Sequence, residues 1–196
     1  MSDVTQVHVQ RETLEFEVNI PGHEARVTTA LFSHTRKLLI EREGGRCWVS
    51  GATAEESGHP LEAHHYPIER SLANMVDWKL FADDAKRGVW GPHAKAFDWD
   101  KFFEGAREEA VQIAADPESG EPARTVRVLV PVDPYLFVDD MTVNGLLLSK
   151  PFHTGKGLGI HDVPYPVWAI LRYTREGYQF NRVLRVHHFD QGDGHA

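Results

Sequence analysis

The sequence predicts an α+β fold, because stretches with strand periodicity and stretches with helical periodicity are interspersed along the chain. From 14 to 20 every second residue is apolar, which indicates a half-buried strand. Residues 25–43 are predicted to form a helix, and the Gly44-Gly45 pair that follows is a common helix stop. The residues expected near one face of this helix are Ala30, Leu31, His34, Leu38 and Leu39. Residues 125–132 are rich in β-branched side chains, which favours another strand.

Shorter elements fill the rest of the chain. Val7 and Val9 are expected to form the hairpin partner of the first strand. Two further helices are predicted from apolar residues that recur on one helical face, the second with Asp98 or Asp100 as its N-cap. In chain order the expected elements are a strand at 46–50, a loop at 51–60, a strand at 61–66, helices at 70–86 and 98–115, an exposed turn at 116–122, a buried strand at 145–148 and a closing strand at 180–186.

Composition limits the class of protein. At 196 residues, 41% of them hydrophobic, the chain is long enough for a core, and we expect a single domain over 1–196. One cysteine excludes an internal disulfide and any multi-cysteine zinc site. The sequence contains no apolar run of about 18 residues and no signal peptide, so we expect a cytoplasmic protein without a membrane span.

Charge is unevenly distributed. The net charge of -8 argues against a general nucleic-acid binder. Residues 66–122 contain 7 Lys/Arg and 12 Asp/Glu, whereas residues 141–189 contain 6 Lys/Arg and 2 Asp/Glu. The second of these segments is therefore basic, which permits phosphate binding there.

Two separated stretches carry residues suited to metal chemistry. His64 and His65 are adjacent on the predicted strand 61–66, and adjacent strand residues point to opposite faces. Only one of them is therefore expected to ligate a metal, while the other faces elsewhere, for instance a water molecule. Asn144 directly precedes the buried strand, and His153 lies just beyond its end.

The ordered set His64-His65, Asn144 and His153 resembles the His-Asn-His signature of the HNH nucleases, whose core is two strands and a helix around one metal. Residues 47–51 and 60–65 are also similar to the segment that commonly leads into this motif. The resemblance covers about 46–66 and 138–161. It implies an α+β fold with a ββα-metal (HNH-like) core, an N-terminal strand and helix, and a helical insertion at about 67–137.

The resemblance also implies roles for individual residues. His65 would be the general base that activates water for the hydrolysis of DNA phosphodiester bonds, and Asn144 would orient the loop that carries it. His64 and His153 would hold one divalent ion, which would be Mg²⁺, Mn²⁺, Ni²⁺ or Zn²⁺, with His161 as the expected third ligand.

The chain departs from the family pattern at several positions. Many HNH proteins carry two Cys-x-x-Cys arms around a structural zinc, but here Cys47 is paired with Ser50, and Ser149 with Phe152. That zinc is expected to be absent. The glycine-rich segment 154–161 is a poor helix former, which puts the usual third ligand in question.

Other interpretations remain open at this point. Asp139-Asp140 would supply a carboxylate ligand if His161 does not. The chain would alternatively be an interaction protein that keeps the HNH scaffold without its chemistry, or a metal-dependent hydrolase of another substrate. Sequence does not determine the oligomeric state.

Overall fold

In a computed structural model, the described part of the chain is a mixed α+β protein with three two-stranded antiparallel sheets. The α+β class is thus confirmed. The chain divides into two compact units, Met1–Asn19 with Gln179–Ala196, and Ile20–Tyr178; the single domain stays a prediction. No helix among the described residues is long and apolar enough to cross a membrane. The structure describes residues 27–115, 120–156 and 159–161, together with the backbone of strands 10–15 and 185–190.

The described residues of the smaller unit form one pair of strands. β1, Gln10–Glu15, pairs antiparallel with β6, Arg185–Asp190, so the first and last of the described strands bond to each other. Of the strand predicted at 14–20, only residues 14 and 15 are described, at the end of β1. Residues 16–20 and the expected hairpin partner at Val7 and Val9 lie outside the described residues. Most of the predicted closing strand at 180–186 does so too.

The first helix of the larger unit is α1, Ala30–Arg42. It begins at Thr29, whose hydroxyl accepts the Phe32 N–H at 3.0 Å, which satisfies one of the unpaired amides of the first turn. Its end before Gly44-Gly45 confirms the predicted stop, because both glycines have positive φ.

The buried face of α1 differs from the predicted one. The helix buries Thr35 and Leu39, whereas Ala30, His34 and Leu38, which were expected on the same face as Leu39, are exposed. The Thr35 hydroxyl explains the difference, because it bonds backbone groups of the segment that leads into the second motif stretch. A polar residue therefore occupies the contact that apolar periodicity assigns to leucine.

The two motif stretches pair directly. β2, Leu61–His65, and β5, Gly145–Ser149, form an antiparallel pair in which His64 lies opposite Leu146 and His65 opposite Gly145. α7, Lys150–Thr154, follows β5 without a loop and contacts both strands. Both predicted strands are confirmed, and residues distant in sequence meet in space.

The strand predicted at 46–50 is wrong. These residues form a turn in which the Cys47 carbonyl accepts the Gly51 N–H at 2.8 Å, while the Trp48 N–H bonds the Leu147 carbonyl of β5 at 2.7 Å. The turn thus docks on β5 without extending the sheet. The loop predicted after it contains a one-turn helix, α2, Ala54–Ser57.

The helix predicted at 70–86 is two elements. A 3₁₀ helix, Arg70–Met75, is followed by α3, Trp78–Lys86. Between them Val76 is extended, and Asp77 starts α3 by accepting the Leu80 N–H at 2.9 Å. A capping carboxylate therefore restarts the helix where apolar spacing alone predicts continuity.

The helix predicted at 98–115 is wrong after its first turn. α4 spans Gly91–Ala96 and α5 spans Trp99–Phe102, and the chain then turns at Gly105 into β3, Arg107–Ile113. Along most of β3, exposed and half-buried residues alternate, which is strand periodicity. Its partner is β4, Arg124–Val130, which confirms the strand predicted at 125–132.

Aromatic side chains form the core of the insertion. The Trp78 and Trp99 indoles are buried, and each donates its N–H to a backbone carbonyl, at 3.1 and 3.0 Å. They are packing residues, since a stacking platform for bases needs an exposed ring. Phe137 on α6, Tyr135–Val138, joins them. The other members are Phe81, Trp90, Phe97 and Phe102.

Candidate metal centre

Three histidines from separate elements meet beside the β2–β5 pair. His64, His153 and His161 each offer a ring nitrogen, and these three nitrogens lie within 4.8 Å of one another. The His153 and His161 Nε2 atoms are 3.0 Å apart, and the three ring centroids are separated by 4.7 to 5.3 Å. This cluster can hold a metal ion, and it joins the three residues that the sequence selects as ligands.

Two of these histidines are placed by the paired strands. His64 is nearly the last residue of β2 and is 2% exposed. His153 lies in α7, which starts directly after β5, so the antiparallel pairing carries it back towards His64. The sequence places His153 just beyond the strand, and the structure shows that it lies on a short helix there.

His161 reaches the cluster because the chain folds back on α7. The His161 N–H donates to the His153 carbonyl at 3.3 Å, and the Ile160 N–H donates to the Phe152 carbonyl at 3.0 Å. Gly159 makes this possible: a Cβ there would lie 2.6 Å from the Gly155 nitrogen and 2.7 Å from the His153 oxygen. The glycines that weaken a helix are thus what bring the third histidine in.

Two glutamates contact these imidazoles. The Glu62 carboxylate lies 2.6 Å from His153 Nδ1, and the Glu69 carboxylate lies 3.4 Å from His64 Nε2. The Glu62 side chain is only partly exposed, and its partner His153 is a candidate ligand. Sequence contained a signal for Glu62, because residues two apart on a strand share a face.

His65 points away from this cluster. Its Nε2 lies 3.4 Å from the Asp139 carboxylate, and its ring stacks on Phe32 at a centroid distance of 5.5 Å. His65 is 8% exposed. The pleat of β2 therefore directs the His64 and His65 side chains to opposite faces of the strand.

Asp139 is the centre of a buried polar group. Its carboxylate accepts bonds from Arg70 at 3.2 Å and from Thr29 at 3.1 Å, and it faces His65. Burial tends to raise the pKa of Asp139, but the His65 hydrogen bond, the Arg70 charge and the Thr29 hydroxyl outweigh it and hold the pKa below its ordinary value. The sequence suggests this carboxylate as an alternative metal ligand, but it makes these contacts and is not part of the three-histidine cluster.

Asn144 fastens the chain that follows His65. Its side chain is fully buried, accepts the Ile68 N–H at 3.0 Å and donates to the Ile68 carbonyl at 2.9 Å. A second donation reaches the Val138 carbonyl at 2.9 Å. This clamp holds the loop that follows His65.

The four residues that align with the cysteine arms of the HNH pattern in the sequence also lie close together. Cys47 is buried, and its thiol is hydrogen-bonded by Ser50 and Ser149, while Phe152 packs on the same cluster. Burial raises the pKa of Cys47, but the four hydrogen bonds from the two serines lower it more, to about 7. The four arm positions thus meet without the ligand set that a zinc ion needs.

Comparison with protein-family models, curated proteins and solved structures gives no match for this chain. Function must therefore be argued from the site. Sequence reasoning did not identify Glu69 or Arg70 as parts of this site. No local sequence pattern indicates either residue, because the path of the chain after β2 determines where their side chains lie.

Proposed function

We propose that this protein is a metal-dependent phosphodiesterase of the HNH type that hydrolyses DNA. The observation that carries the proposal is the cluster of His64, His153 and His161 beside a strand pair whose loop is fastened by Asn144. The order of β2, β5 and α7 along the chain also fits a ββα-metal core.

The donor set fits one divalent ion. Three imidazole nitrogens suit Zn²⁺ or Ni²⁺ better than Mg²⁺, which prefers oxygen ligands. Three protein ligands also leave a coordination position open, as in catalytic rather than structural sites. When bound, such an ion supplies Lewis-acid stabilisation of the charge that develops on the phosphate and on the leaving oxygen.

His65 is the general base in this proposal. The Asp139 carboxylate faces Nε2, so Nδ1 is the nitrogen that takes the proton from the attacking water. Asp139 then stabilises the imidazolium, as a carboxylate does in a serine-protease triad. Arg70 keeps that carboxylate ionised, which agrees with its lowered pKa.

The helix that contacts His65 also carries two cations. Phe32 of α1 stacks on His65, and Arg36 and Lys37 lie on the same helix. Both cations are exposed, as residues that contact a phosphate backbone need to be. Helix α1 could therefore contribute positive charge to the binding of a polyanionic substrate.

The test is cleavage of supercoiled plasmid by the purified protein, with EDTA or with Zn²⁺, Ni²⁺, Mn²⁺ or Mg²⁺. We expect metal-dependent nicking that is abolished in His65→Ala and retained in His34→Ala, since His34 is exposed on α1. His65→Ala should bind the metal as the wild type does, because His65 lies outside the cluster. A fully active His65→Ala protein would refute the assignment of the base.

The low exposure of His65 favours a second candidate, an HNH scaffold that binds a partner without cleaving DNA. In that case the ion would be structural or absent. Metal removal would lower the melting temperature or leave it unchanged, and no metal would produce nicking. Metal titration and plasmid cleavage on the same preparation separate the two functions.

A further inference from the structure

We infer that Glu62 and Glu69 are positioning residues, which determine the nitrogen that His153 and His64 present to the ion. The Glu62 carboxylate bonds His153 Nδ1 and the Glu69 carboxylate faces His64 Nε2, so we assign coordination to Nε2 of His153 and to Nδ1 of His64. This inference rests on the metal site of the proposed function, but it does not require DNA cleavage.

The case for His153 comes from one short contact. Its Nδ1 lies 2.6 Å from the Glu62 carboxylate, which is the distance of a charge-assisted hydrogen bond. That bond keeps a proton on Nδ1, so the lone pair of the neutral ring is on Nε2. Nε2 is also the atom that lies 3.0 Å from His161 Nε2, inside the cluster. The carboxylate thus aims the ring as well as fixing its tautomer.

The case for His64 comes from a longer contact, to its other ring nitrogen. Its Nε2 lies 3.4 Å from the Glu69 carboxylate, which stands outside the group of mutually close ligand atoms. If this contact is kept when the ion binds, His64 coordinates the ion through Nδ1. The contact is a few tenths of an ångström longer than a usual N–H···O bond of about 3.0 Å. A metal on Nδ1 requires the proton on Nε2, and that proton draws the two groups together.

The Asn144 clamp explains how Glu69 is held in place. Asn144 binds both backbone polar groups of Ile68, the residue directly before Glu69. The glutamate backbone is thereby fixed, and its side chain, which is 19% exposed, lies against the nearly inaccessible His64 ring. In this arrangement Asn144 acts on the metal site as well as on the loop after His65.

The two carboxylates also balance charge. Three neutral imidazoles contribute no charge of their own, whereas the ion brings two positive charges into a partly buried site. Glu62 and Glu69 compensate for it through the rings that they contact. Loss of such a partner typically weakens metal binding by about 10–100-fold.

The first measurement is Zn²⁺ affinity, obtained by competition with a chromophoric chelator. We expect Glu62→Ala and Glu69→Ala each to bind one ion about 10–100-fold more weakly than the wild type. Gln variants should lie between, because an amide oxygen still accepts the hydrogen bond without the charge. Glu104→Ala is the matched control, since Glu104 is exposed beyond α5. Melting curves of the metal-free variants establish that each is folded.

The second measurement identifies the protonated nitrogens by long-range ¹H–¹⁵N correlation in the Zn²⁺-loaded protein. The expected result is a proton on His153 Nδ1 and on His64 Nε2, with faster exchange of the respective proton in the Glu62 and Glu69 variants. Coordination of His64 through Nε2, or wild-type affinity in both Ala variants, would overturn the inference.

Neither measurement uses DNA, so the two proposals fail separately. Weaker Zn²⁺ binding by the Glu variants with no plasmid nicking by the wild type would support the positioning roles and reject the nuclease. Nicking by the wild type with unchanged Zn²⁺ affinity in the variants would do the reverse. A wild-type protein that binds no metal would reject both.

Discussion

Replacement of Gly159 by alanine tests how the third histidine is delivered. The added Cβ would lie 2.6 Å from the Gly155 nitrogen, 2.7 Å from the His153 oxygen and 2.9 Å from the Gly155 oxygen. All three atoms are backbone, so no side-chain rotation relieves the overlap. The turn between α7 and His161 must open.

Opening of this turn affects the metal site because the contact that holds His161 is already long. Its N–H donates to the His153 carbonyl at 3.3 Å, close to the limit for a hydrogen bond. Metal–ligand distances tolerate only about 0.2 Å of error. A shift that moves the Cβ to an allowed separation, several tenths of an ångström, therefore takes His161 out of reach of an ion held by the other two histidines.

The expected result is a loss of Zn²⁺ affinity of about 100-fold, or about 2.7 kcal/mol, because removal of a ligand costs at least as much as removal of its outer partner. The assay is chelator competition on Gly159→Ala, His161→Ala and the double variant. Because both changes act on the same ligand, the double variant should bind no more weakly than His161→Ala alone. Lys156→Ala, an exposed neighbour in the same segment, is the control and should bind normally.

Two results would refute this reasoning. Wild-type affinity in Gly159→Ala would mean that the fold-back does not deliver a ligand. Additive losses in the double variant would mean that Gly159 acts on the site by another route, for instance by unfolding α7. Melting curves of the metal-free proteins distinguish that second case, because an unfolded α7 lowers the melting temperature.

Two further predictions concern the surroundings of the site. Asp139→Asn should destabilise the protein by about 3 kcal/mol at pH 7, since it leaves buried partners of a carboxylate unpaired. Folding lowers the pKa of Asp139, so its contribution to stability is present above the unfolded pKa of about 3.9 and is lost as pH falls below that value. In urea unfolding, the difference in free energy of unfolding between wild type and variant should therefore shrink below about pH 4. A difference that stays constant with pH would contradict the expectation. The combined change Ser50→Cys, Ser149→Cys and Phe152→Cys should, with Cys47, give a four-thiolate site that binds a second Zn²⁺ per chain, whereas a stoichiometry of one would show that the arms do not converge closely enough.

Sequence was most informative for the two strands that pair beside the histidines. The stretch 61–66 was predicted as a short strand and 145–148 as a short apolar run that forms a buried strand, and both are confirmed as β2 and β5. The same histidines that stand out in sequence, His64, His153 and His161, then meet in space. Local pattern and long-range pairing agree here.

Sequence failed where a single residue redirects the chain. Asp77 restarts a helix, and Gly105 turns the chain into β3, although the apolar spacing continues past both. Gly159 is a further example, because only a residue without a side chain fits where the chain folds back on α7. Periodicity averages over many residues, and it does not register one capping carboxylate or one close backbone approach.

The segment between β2 and β5 takes part in the candidate site. β2 and β5 pair although this whole segment separates them, and the chain returns through α6, whose Phe137 is buried among the aromatic residues of the segment. Asp139 follows that helix directly, and Arg70 belongs to the first turn of the segment. Both charged partners of His65 are therefore fixed by the packing of the segment, and not by the strand that carries the histidine. A loop of ordinary length would join the strands but would leave His65 without Asp139 and Arg70, so the aromatic core is what gives the proposed base its carboxylate.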